Sequence, residues 1–425
     1  KKLSLPKVFH IQEFSNYFGN DSASTIHGWS VNNLISNFMG SMPYVPVHKH
    51  HKALSFLPLS HIYERMLLYL YTNVGVSIYF AESLEKIGDN LKEVKPHVFT
   101  TVPRLLEKVY DKIVGKGMEL TGVKRALFFW ALNLGLKFDP QKSGGFFYDT
   151  QLKLANKIIF NKWREALGGN VVAVVSGGAA LQPRLARVFW AAGIKVMEGY
   201  GLTETSPVIA VNRHNADENM IGTVGPVIKN VEIKIAEDGE ILTRGRGVMK
   251  GYYNKPEQTA EVIDSEGWFH TGDIGTLIDN KFLKITDRKK EIFKTSGGKY
   301  VAPQPIENKL KESTLIEQVM VVGEGQKFAG ALIVPAFPVL QEWCRLHELE
   351  YTTDREMLKH PQVLEKFKKE VAKMNEEFAQ YEQIKKFELL PDAWTIETGE
   401  LTAKMSVKRK FINQKFREKI EGMYK

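Results

Sequence analysis

The apolar positions of the chain change their period repeatedly, which predicts strands and helices in alternation. Residues 171–175 form a continuous run of small and β-branched apolar residues, which is typical of a strand buried on both faces. Residues 98–102 predict a similar strand, and Pro103 opens a helical pattern directly after it. Residues 66–80 are apolar and aromatic and predict a helix followed by a strand. Strands that alternate with helices in this way favour a parallel sheet in an α/β fold.

The second half of the chain has a different pattern. Residues 231–235 and 240–244 alternate apolar and polar side chains, as antiparallel strands do. Residues 319–323 and 329–335 predict another strand pair, which is followed by helical patterns and by a last strand at 386–390. The chain has 425 residues and 43% apolar content, so it can bury more than one core. We therefore expect a large α/β domain followed by a small α+β domain.

Composition narrows the class of protein. Cys344 is the one cysteine in the sequence, which excludes a disulfide framework and fits a reducing compartment. Its neighbours offer no partner for nucleophilic chemistry, so we interpret it as a packing residue. No apolar run reaches the roughly 18 residues that a membrane span needs. We expect a soluble or peripheral protein in the cytoplasm.

The net charge of +9 is compatible with nucleic acid, an anionic membrane surface or polyanionic substrates. Much of the excess lies in residues 404–419, which contain seven lysines and arginines. Such a run is usually a solvated face. The sequence shows no zinc-ligand spacing and no RNA-binding signature, so we do not expect a nucleic-acid partner.

The strongest candidate for a functional site is residues 199–206, which read Gly-Tyr-Gly-Leu-Thr-Glu-Thr-Ser after an apolar segment. Glycines let the backbone approach a ligand closely, and Tyr200 offers a stacking face for a base. Thr203 and Thr205 offer hydroxyls to phosphate, and the Glu204 carboxylate suits a hard cation such as Mg²⁺. The alternative is a polar turn where the preceding strand ends.

Three further segments contain candidate site residues. Each segment is weak evidence for a functional site when it is taken alone. The strand at 171–175 ends in small residues, Gly177 and Gly178, which leave space for a ligand at the edge of an open sheet. Asp273 lies between glycines and can accept hydrogen bonds from ribose hydroxyls, although it can equally cap a turn. His61 is either a substrate contact or a satisfied structural histidine.

In this order, the segments resemble the adenylate-forming superfamily, whose members condense a carboxylic acid with ATP and pass the acyl group to a thiol. Within it, the chain is most similar to long-chain fatty acid–CoA ligases. Matching motifs run from about Leu57 to Lys410. The resemblance implies an α/β fold with a large amino-terminal domain of stacked sheets flanked by helices, a small β-barrel-like part, and a small mobile α+β carboxyl-terminal domain. It implies domains at 1–286 and 287–425 with a hinge near Lys290.

The resemblance also implies ATP and Mg²⁺ as cofactors and CoA as co-substrate, with a fatty acid as the partner that is activated. Peripheral contact with an anionic membrane, at its inner face, and a homodimer are further expectations.

Roles for individual residues follow from the resemblance. The catalytic residues would be Glu204, which is also the metal ligand, and Lys404. The nucleotide would contact Gly177, Gly178, Ala179, Gly199, Tyr200, Gly201, Leu202, Thr203, Asp273, Arg288 and Lys294. The acyl group would contact His61, Gly177 and Gly201, and the CoA channel would use Gly297, Gly298 and Lys299. The alternative that Lys294 and Lys299 are surface charges stays open.

The sequence departs from the family pattern before a predicted helix at residues 32–37. A phosphate-gripping loop rich in serine, threonine and glycine is expected there, yet residues 22–29 read Ser-Ala-Ser-Thr-Ile-His-Gly-Trp. Either a mobile loop was omitted and its flanks were joined near residues 26–27, which we favour, or the protein lacks the loop. We also expect that an amino-terminal part of the protein is missing from this chain.

A second departure concerns the catalytic lysine, which is expected three residues before Arg409, where the chain has Ser406. Lys404 and Lys408 lie two residues to either side, on the same face of an extended segment. We predict that Lys404 takes the role.

Two other functions compete with the ligase. One is loading of an acyl group onto a carrier protein, or oxidation of the activated acid with light emission. The other is a binding or scaffold relative that has lost catalysis, and the two departures are its support.

Overall fold

The computed structural model describes residues 27–28, 30–402 and 406–425. The predicted junction at 26–27 lies partly outside these residues, and Lys404 lies wholly outside them.

The described strands are numbered here in chain order. They are β1 (His27–Gly28), β2 (Lys52–Ser55), β3 (Ser77–Phe80), β4 (Val98–Thr101), β5 (Ala173–Ser176), β6 (Val196–Gly201), β7 (Val208–Val211), β8 (Val231–Ile235), β9 (Glu240–Gly245), β10 (Gly251–Tyr252), β11 (Phe269–Ile278), β12 (Phe282–Arg288), β13 (Phe293–Lys294), β14 (Tyr300–Val301), β15 (Ile316–Val322), β16 (Ala329–Pro335) and β17 (Ile384–Leu389).

The described α-helices are numbered in the same way. They are α1 (Val31–Ser41), α2 (Ile62–Val74), α3 (Ile87–Val94), α4 (Pro103–Met118), α5 (Gly122–Leu136), α6 (Phe146–Ala155), α7 (Asn161–Ala166), α8 (Pro183–Ala191), α9 (Pro256–Val262), α10 (Pro303–Leu310), α11 (Phe337–Leu346), α12 (Asp354–Met357), α13 (Pro361–Asn375), α14 (Arg409–Lys415) and α15 (Arg417–Tyr424).

A six-stranded sheet forms the centre of the amino-terminal region. Its strand order is β3-β2-β4-β5-β6-β7, and every neighbouring pair is parallel except β6 and β7. Both β4 and β5 are buried along their whole length. Helices cover both faces, with Phe160 and Phe189 in one core and Leu70 and Tyr71 in another. The predicted parallel α/β sheet is confirmed.

Strand β6 is longer than the sequence indicated. We expected the strand to end before Gly199, but residues 199–201 remain in it, because they pair with β7 through Gly199 with Val211 and Gly201 with Val208. The partner strand follows the motif in the sequence, so the motif alone did not reveal the pairing. A Cβ atom at Gly201 would overlap the carbonyl oxygen of Pro207. Glycine is therefore required there by the fold itself.

A four-stranded antiparallel sheet of order β12-β11-β9-β8 corresponds to the predicted small barrel-like part. Its β11 and β12 pair Asp273 with Arg288. The predicted strand pair at 231–235 and 240–244 is confirmed as β8 and β9.

The carboxyl-terminal region is α+β, as the sequence predicted. Its sheet has the order β15-β16-β17, in which the first pair is antiparallel and the second parallel. Cys344 is fully buried in the core of this region, and burial raises the pKa of its thiol. Its interpretation as a packing residue is confirmed.

The two regions contact each other through arginines of the large one. Arg104 on α4 pairs with Glu317 on β15, and Arg184 on α8 donates to the carbonyl oxygen of Lys311 at 3.0 Å. At the end of β12, Asp287 accepts from the backbone N–H of Arg288 at 2.6 Å and of Gln304 at 3.3 Å.

None of the described helices combines the length and the hydropathy needed to span a membrane.

Candidate active site

A cavity of about 890 Å³ opens at the carboxyl edge of the six-stranded sheet. Much of its wall comes from the amino end of α2, the ends of β5 and β6, and the β11–β12 pair with the residues that follow it. Residues of α1, β7, β9, β10 and α9 complete the wall. Gly177, Glu204, Asp273 and Arg288 all line it, although they are far apart in the sequence. The carboxyl ends of parallel strands are where open α/β sheets bind ligands.

Asp273 is a buried carboxylate in the wall of the cavity. Its Oδ2 accepts a hydrogen bond from the Tyr200 hydroxyl at 2.7 Å. Its Oδ1 lies 3.3 Å from Nε of Arg288, and its own N–H donates to Thr271 Oγ1 at 3.2 Å. Burial raises the pKa of Asp273, while Tyr200 and Arg288 act in the opposite direction. Its carboxylate is therefore oriented by one hydrogen bond and one ion pair.

Tyr200 has a second role beside the stacking face that the sequence suggested. Burial is the main cause that raises the pKa of its hydroxyl well above the usual value, and the nearby Asp273 charge adds to the effect. The hydroxyl consequently stays protonated and donates. Its position on β6 links the six-stranded sheet to the four-stranded sheet across the cavity.

Glu204 lies on a 3₁₀ turn, Thr203–Thr205, directly after β6. The carbonyl oxygen of Glu204 accepts from the N–H of Met249 at 2.7 Å, and Oε1 accepts from the Tyr252 hydroxyl at 3.1 Å. Tyr252 belongs to β10, which pairs with β1. Glu204 therefore projects from a turn that is held at its main chain and its side chain.

Thr205 does not offer its hydroxyl to a phosphate, so that part of the sequence interpretation is wrong. The residue is buried, and its Oγ1 accepts from the N–H of Leu202 at 3.0 Å and donates to the Pro207 carbonyl. Asn37 on α1 donates to the carbonyl oxygens of Thr205 at 3.1 Å and Val208 at 2.8 Å. Thr205 therefore shapes the turn, while Thr203 lines the cavity.

The residues present fit a magnesium ion that is held jointly with a nucleotide. Among the described residues, no group of three or more His, Cys, Asp or Glu side chains is placed to hold a metal by itself. Mg²⁺ in nucleotide sites usually takes one or two carboxylates and completes its shell with phosphates and water. The single carboxylate of Glu204 matches that arrangement.

The glycines at the end of β5 leave room beside the cavity. Gly178 has φ of +83° and open space where a Cβ would be, and Gly177 lies against the ring of Tyr63. Both residues line the cavity, as do Gly199, Gly201 and Leu202. Ala179 does not line it, although the sequence assigned it to the nucleotide.

The wall on the side of α2 is mostly apolar. His61 immediately precedes the helix and lines the cavity, and it is followed by Tyr63, Met66 and Leu67. The Tyr63 hydroxyl donates to the carbonyl oxygen of Val175 at 3.0 Å, which ties this wall to β5. An apolar wall next to a nucleotide-sized polar rim suits a substrate with a hydrocarbon part.

The segment after β12 also borders the cavity. Lys289 pairs with Asp238 at 2.6 Å and with Glu240 at 2.9 Å, and the exposed Lys290 lies beside it. Next along the chain, Glu291 pairs with Arg409 of the carboxyl-terminal region at 2.8 Å.

The predicted CoA-channel residues lie elsewhere. Gly297, Gly298 and Lys299 belong to the β13–β14 hairpin and do not line the cavity. The same holds for Lys294, which the resemblance assigned to the nucleotide. Lys294 Nζ lies 5.4 Å from the centre of the Tyr300 ring. Among the residues described near the carboxyl terminus, neither Ser406 nor Lys408 lines the cavity.

Sequence reasoning missed two residues of this site. Tyr252 lies on the short strand β10, and nothing in the sequence signalled its bond to Glu204. Glu240 accepts from the N–H of Gly272 at 2.9 Å and thereby positions the turn before Asp273. Its place at the start of a strand gave no indication of this contact.

Family comparison agrees with the motifs. Residues 29–253 match the model of the AMP-binding enzyme family, and residues 290–425 match the model of the AMP-binding enzyme C-terminal domain. The chain belongs to the AMP-binding enzyme family. This membership confirms the resemblance that the sequence motifs indicated.

Curated relatives of this AMP-binding chain include a long-chain-fatty-acid–CoA ligase of Mycobacterium bovis, 35% identical over 401 residues, which cover 92% of this chain and 66% of the relative. A peroxisomal long chain acyl-CoA synthetase of Arabidopsis thaliana is 33% identical over 92% of the chain and 58% of the relative. The chain thus spans between about half and two thirds of the length of the curated relatives it matches.

Solved structures support the fold. The adenylation domain of a carboxylate reductase from Mycobacterium chelonae superposes with a TM-score of 0.68 at 21% identity, covering 92% of this chain and 56% of that one. An o-succinylbenzoate coenzyme A synthetase from Bacillus subtilis, solved with ATP and a magnesium ion, gives a TM-score of 0.61 at 18% identity, covering 90% and 65%.

Proposed function

We propose that this AMP-binding chain carries the catalytic region of a long-chain fatty acid–CoA ligase. It would convert a long-chain fatty acid, ATP and CoA into acyl-CoA, AMP and pyrophosphate, with acyl-AMP as the intermediate. The observation that supports this most directly is the single cavity lined by Gly177, Glu204, Asp273 and Arg288. Curated relatives that it matches are named as long-chain fatty-acid–CoA ligases or long chain acyl-CoA synthetases.

In the first step, a carboxylate oxygen of the fatty acid attacks the α-phosphorus of ATP. A new P–O bond forms, the bond to the β-phosphate bridge breaks, and pyrophosphate leaves with the electron pair. Asp273 would accept from ribose hydroxyls, and the guanidinium of Arg288, which already contacts it, would donate to the same sugar. Magnesium, held by Glu204 and the phosphates, would offset the charge that develops there.

A cation is needed where negative charge grows on the phosphoryl oxygens. We propose Lys404 for this role. Lys289 is already engaged by Asp238 and Glu240, so it is less suited. No protein side chain needs to form a covalent bond with the acyl group.

In the second step, the thiol of CoA attacks the acyl carbonyl carbon and AMP leaves. The small region at 287–425 would rotate about Lys290 relative to the region at 1–286, so that Gly297, Gly298 and Lys299 come to line a path for CoA. Lys290 is exposed and lies in the short segment that joins β12 to β13, and a hinge needs only a few such residues to change their backbone angles. Domain closure of this kind also excludes water from the acyl-AMP.

The acyl chain would lie along the apolar wall that begins at His61. Met66, Leu67 and Val175 supply that wall. Cytoplasmic location, peripheral contact with an anionic membrane at its inner face, and a homodimer complete the proposal.

Pyrophosphate exchange with palmitate tests the first step. The full-length protein that contains this chain should incorporate labelled pyrophosphate into ATP only when both palmitate and Mg²⁺ are present. Glu204→Gln should reduce exchange about a hundredfold and raise the Mg²⁺ concentration needed for half-maximal rate, because one metal ligand loses its charge. The Tyr252→Phe variant is the matched control, since it keeps the carboxylate. Absence of exchange above background in the unaltered protein would rule out the ligase.

The second candidate function is binding without catalysis. Ser406 at the expected lysine position favours it. In that case AMP would bind to the cavity, while neither pyrophosphate exchange nor acyl-CoA formation would occur. Loading of a carrier protein would instead give exchange without saturation by free CoA.

A further inference from the structure

The α5–α6 helical hairpin exposes the most solvent-accessible large apolar side chains among the described residues. Phe146 is 87% exposed, Phe147 is 80% exposed and Val123 is 75% exposed. Phe146 and Phe147 begin α6, and Val123 lies in the first turn of α5. Apolar exposure concentrated on one element usually marks a contact surface.

One face of α6 carries this exposure along its length. The exposed positions are Phe146, Phe147, Thr150, Lys153, Leu154 and, one turn beyond the helix, Lys157. They recur at the spacing of successive helical turns, and Phe147 and Leu154 lie about 10 Å apart along the axis. We name these six residues the α6 outer face. It combines three large apolar side chains with two lysines and has no acidic residue.

The opposite side of α6 is firmly held. The Tyr148 hydroxyl donates to the carbonyl oxygen of Leu134 at 2.8 Å, and Trp130 Nε1 donates to Gln151 at 3.2 Å. The Tyr148 ring also lies where a side chain on Gly144 would be. The two phenylalanines therefore point to solvent from a helix that is anchored on α5, and their exposure is not that of a frayed end.

The charge of the hairpin selects the kind of partner. Residues 122–162 contain seven basic and two acidic residues, a net charge of +5 out of +9 for the whole chain. Both acids already have partners: Asp139 lies within 4.0 Å of Lys142 and Arg187, and Asp149 accepts from Ser143 at 3.4 Å. Apolar side chains surrounded by lysines match the interface of a bilayer with anionic headgroups.

We propose that the α6 outer face is the surface by which the protein contacts an anionic lipid bilayer. Phe146, Phe147 and Leu154 would enter the boundary between headgroups and acyl chains, while Lys153 and Lys157 would reach the headgroup phosphates. This inference names the surface for the peripheral membrane contact proposed above. It rests on that contact and not on the ligase chemistry.

Vesicle co-sedimentation tests the proposal with the full-length protein, without fatty acid, ATP or CoA. The probe is phosphatidylcholine vesicles with and without phosphatidylglycerol. Binding should be stronger to the anionic vesicles and should weaken as salt is added. The double variant Phe146→Ser/Phe147→Ser should bind the vesicles at least about tenfold more weakly, because it removes two interfacial aromatic groups. The variant Lys153→Gln/Lys157→Gln should lose about fivefold per lysine on anionic vesicles alone.

Phe80→Ser is the matched control, because Phe80 is a 53% exposed phenylalanine at the end of the edge strand β3. If it weakens binding as much as the double variant does, or if the unaltered protein does not bind vesicles at low salt, the proposal is wrong. Circular dichroism should show that each variant is folded.

Sedimentation equilibrium adds a further outcome: if the phenylalanine variants convert a dimer to a monomer and leave vesicle binding unchanged, the face joins two copies of the chain and the proposal is overturned. Pyrophosphate exchange in vesicle-free buffer is expected to be unaffected in every variant, so failure of this inference and failure of the ligase function are separable.

Discussion

Tyr200 and Asp273 are 73 residues apart in the sequence, and the tyrosine hydroxyl donates to Oδ2 of the carboxylate over 2.7 Å. The bond joins β6 of the large sheet to β11 of the four-stranded sheet. The two strands that frame the proposed ribose site are therefore coupled at the carboxylate that would bind the sugar.

Replacing Tyr200 with Phe should weaken AMP binding about tenfold. The variant loses a hydrogen bond to a charged group, and the Asp273 carboxylate is no longer fixed in orientation. Isothermal titration with AMP measures the effect. Tyr252→Phe, which loses a bond to Glu204 instead, should leave AMP affinity unchanged. Equal losses in both variants would contradict the assigned role of Asp273.

Gly201→Ala should destabilise the protein by about 3 kcal/mol or more, because the new methyl group would overlap the Pro207 carbonyl. Gly199→Ala is the matched control. A Cβ there would have its nearest neighbour at 3.7 Å, an ordinary contact with Val211. Urea unfolding monitored by tryptophan fluorescence distinguishes the two. A tolerated alanine at 201 would show that the β6–β7 pairing is not as rigid as described.

Glu64 should make stability depend on pH near neutrality. Its carboxyl group is buried between Ser55 and Thr100, and burial raises its pKa from 4.5 to about 7. Between these values the folded state binds a proton that the unfolded state releases, so the free energy of unfolding falls as pH rises. Glu64→Gln should remove about 3 kcal/mol of the loss measured between pH 5 and pH 9.

The control for Glu64 is Glu376→Gln, an exposed position in the carboxyl-terminal region that should leave the pH profile unchanged. Glu198 remains in both variants. Burial raises its pKa to about 8, so part of the decline should persist. A Glu64→Gln profile parallel to that of the unaltered protein would show that this carboxyl group titrates normally.

Glu317→Gln should loosen the contact between the two regions, since it removes the charge that pairs with the mostly buried Arg104. We expect trypsin to cleave after Lys289, Lys290 or Lys294 about fivefold faster, which corresponds to a loss of about 1 kcal/mol from a partly buried pair. Glu312→Gln is the control because its partner, Lys309, lies within the same region. Unchanged cleavage in Glu317→Gln would mean that this ion pair does not govern separation of the regions.

Lys404→Ala should reduce pyrophosphate exchange about a hundredfold if this lysine replaces the one expected at position 406. Lys408→Ala should have little effect. A loss of exchange in Lys408→Ala alone would assign the role to Lys408. If both variants keep the activity of the unaltered protein, neither lysine is needed for the first step. Ser406→Lys, which restores the family pattern, should then increase exchange.

The sequence predicted those parts of the fold that depend on local pattern. The buried run that became β5 and the proline that begins α4 were read correctly because burial and helix starts leave signals within a few residues. The length of β6 was not predicted correctly, because its last residues pair with β7, a strand that comes later in the chain.

The candidate site shows the same division. Asp273 and Arg288 stand in recognisable segments, and the antiparallel register then placed them side by side. The bond from Tyr252 to Glu204 and the internal use of the Thr205 hydroxyl depend on tertiary contacts that no spacing reveals.

The pairing of β1 with β10 has a consequence for chain architecture. His27 and Gly28 run alongside Tyr252 and Gly251, and Tyr252 carries the hydroxyl that meets Glu204. Among the described residues, β1 and β10 form a two-stranded sheet of their own, separate from the six-stranded sheet. A chain segment that enters the described structure at His27 is therefore anchored beside the strand whose tyrosine meets Glu204 at the cavity wall.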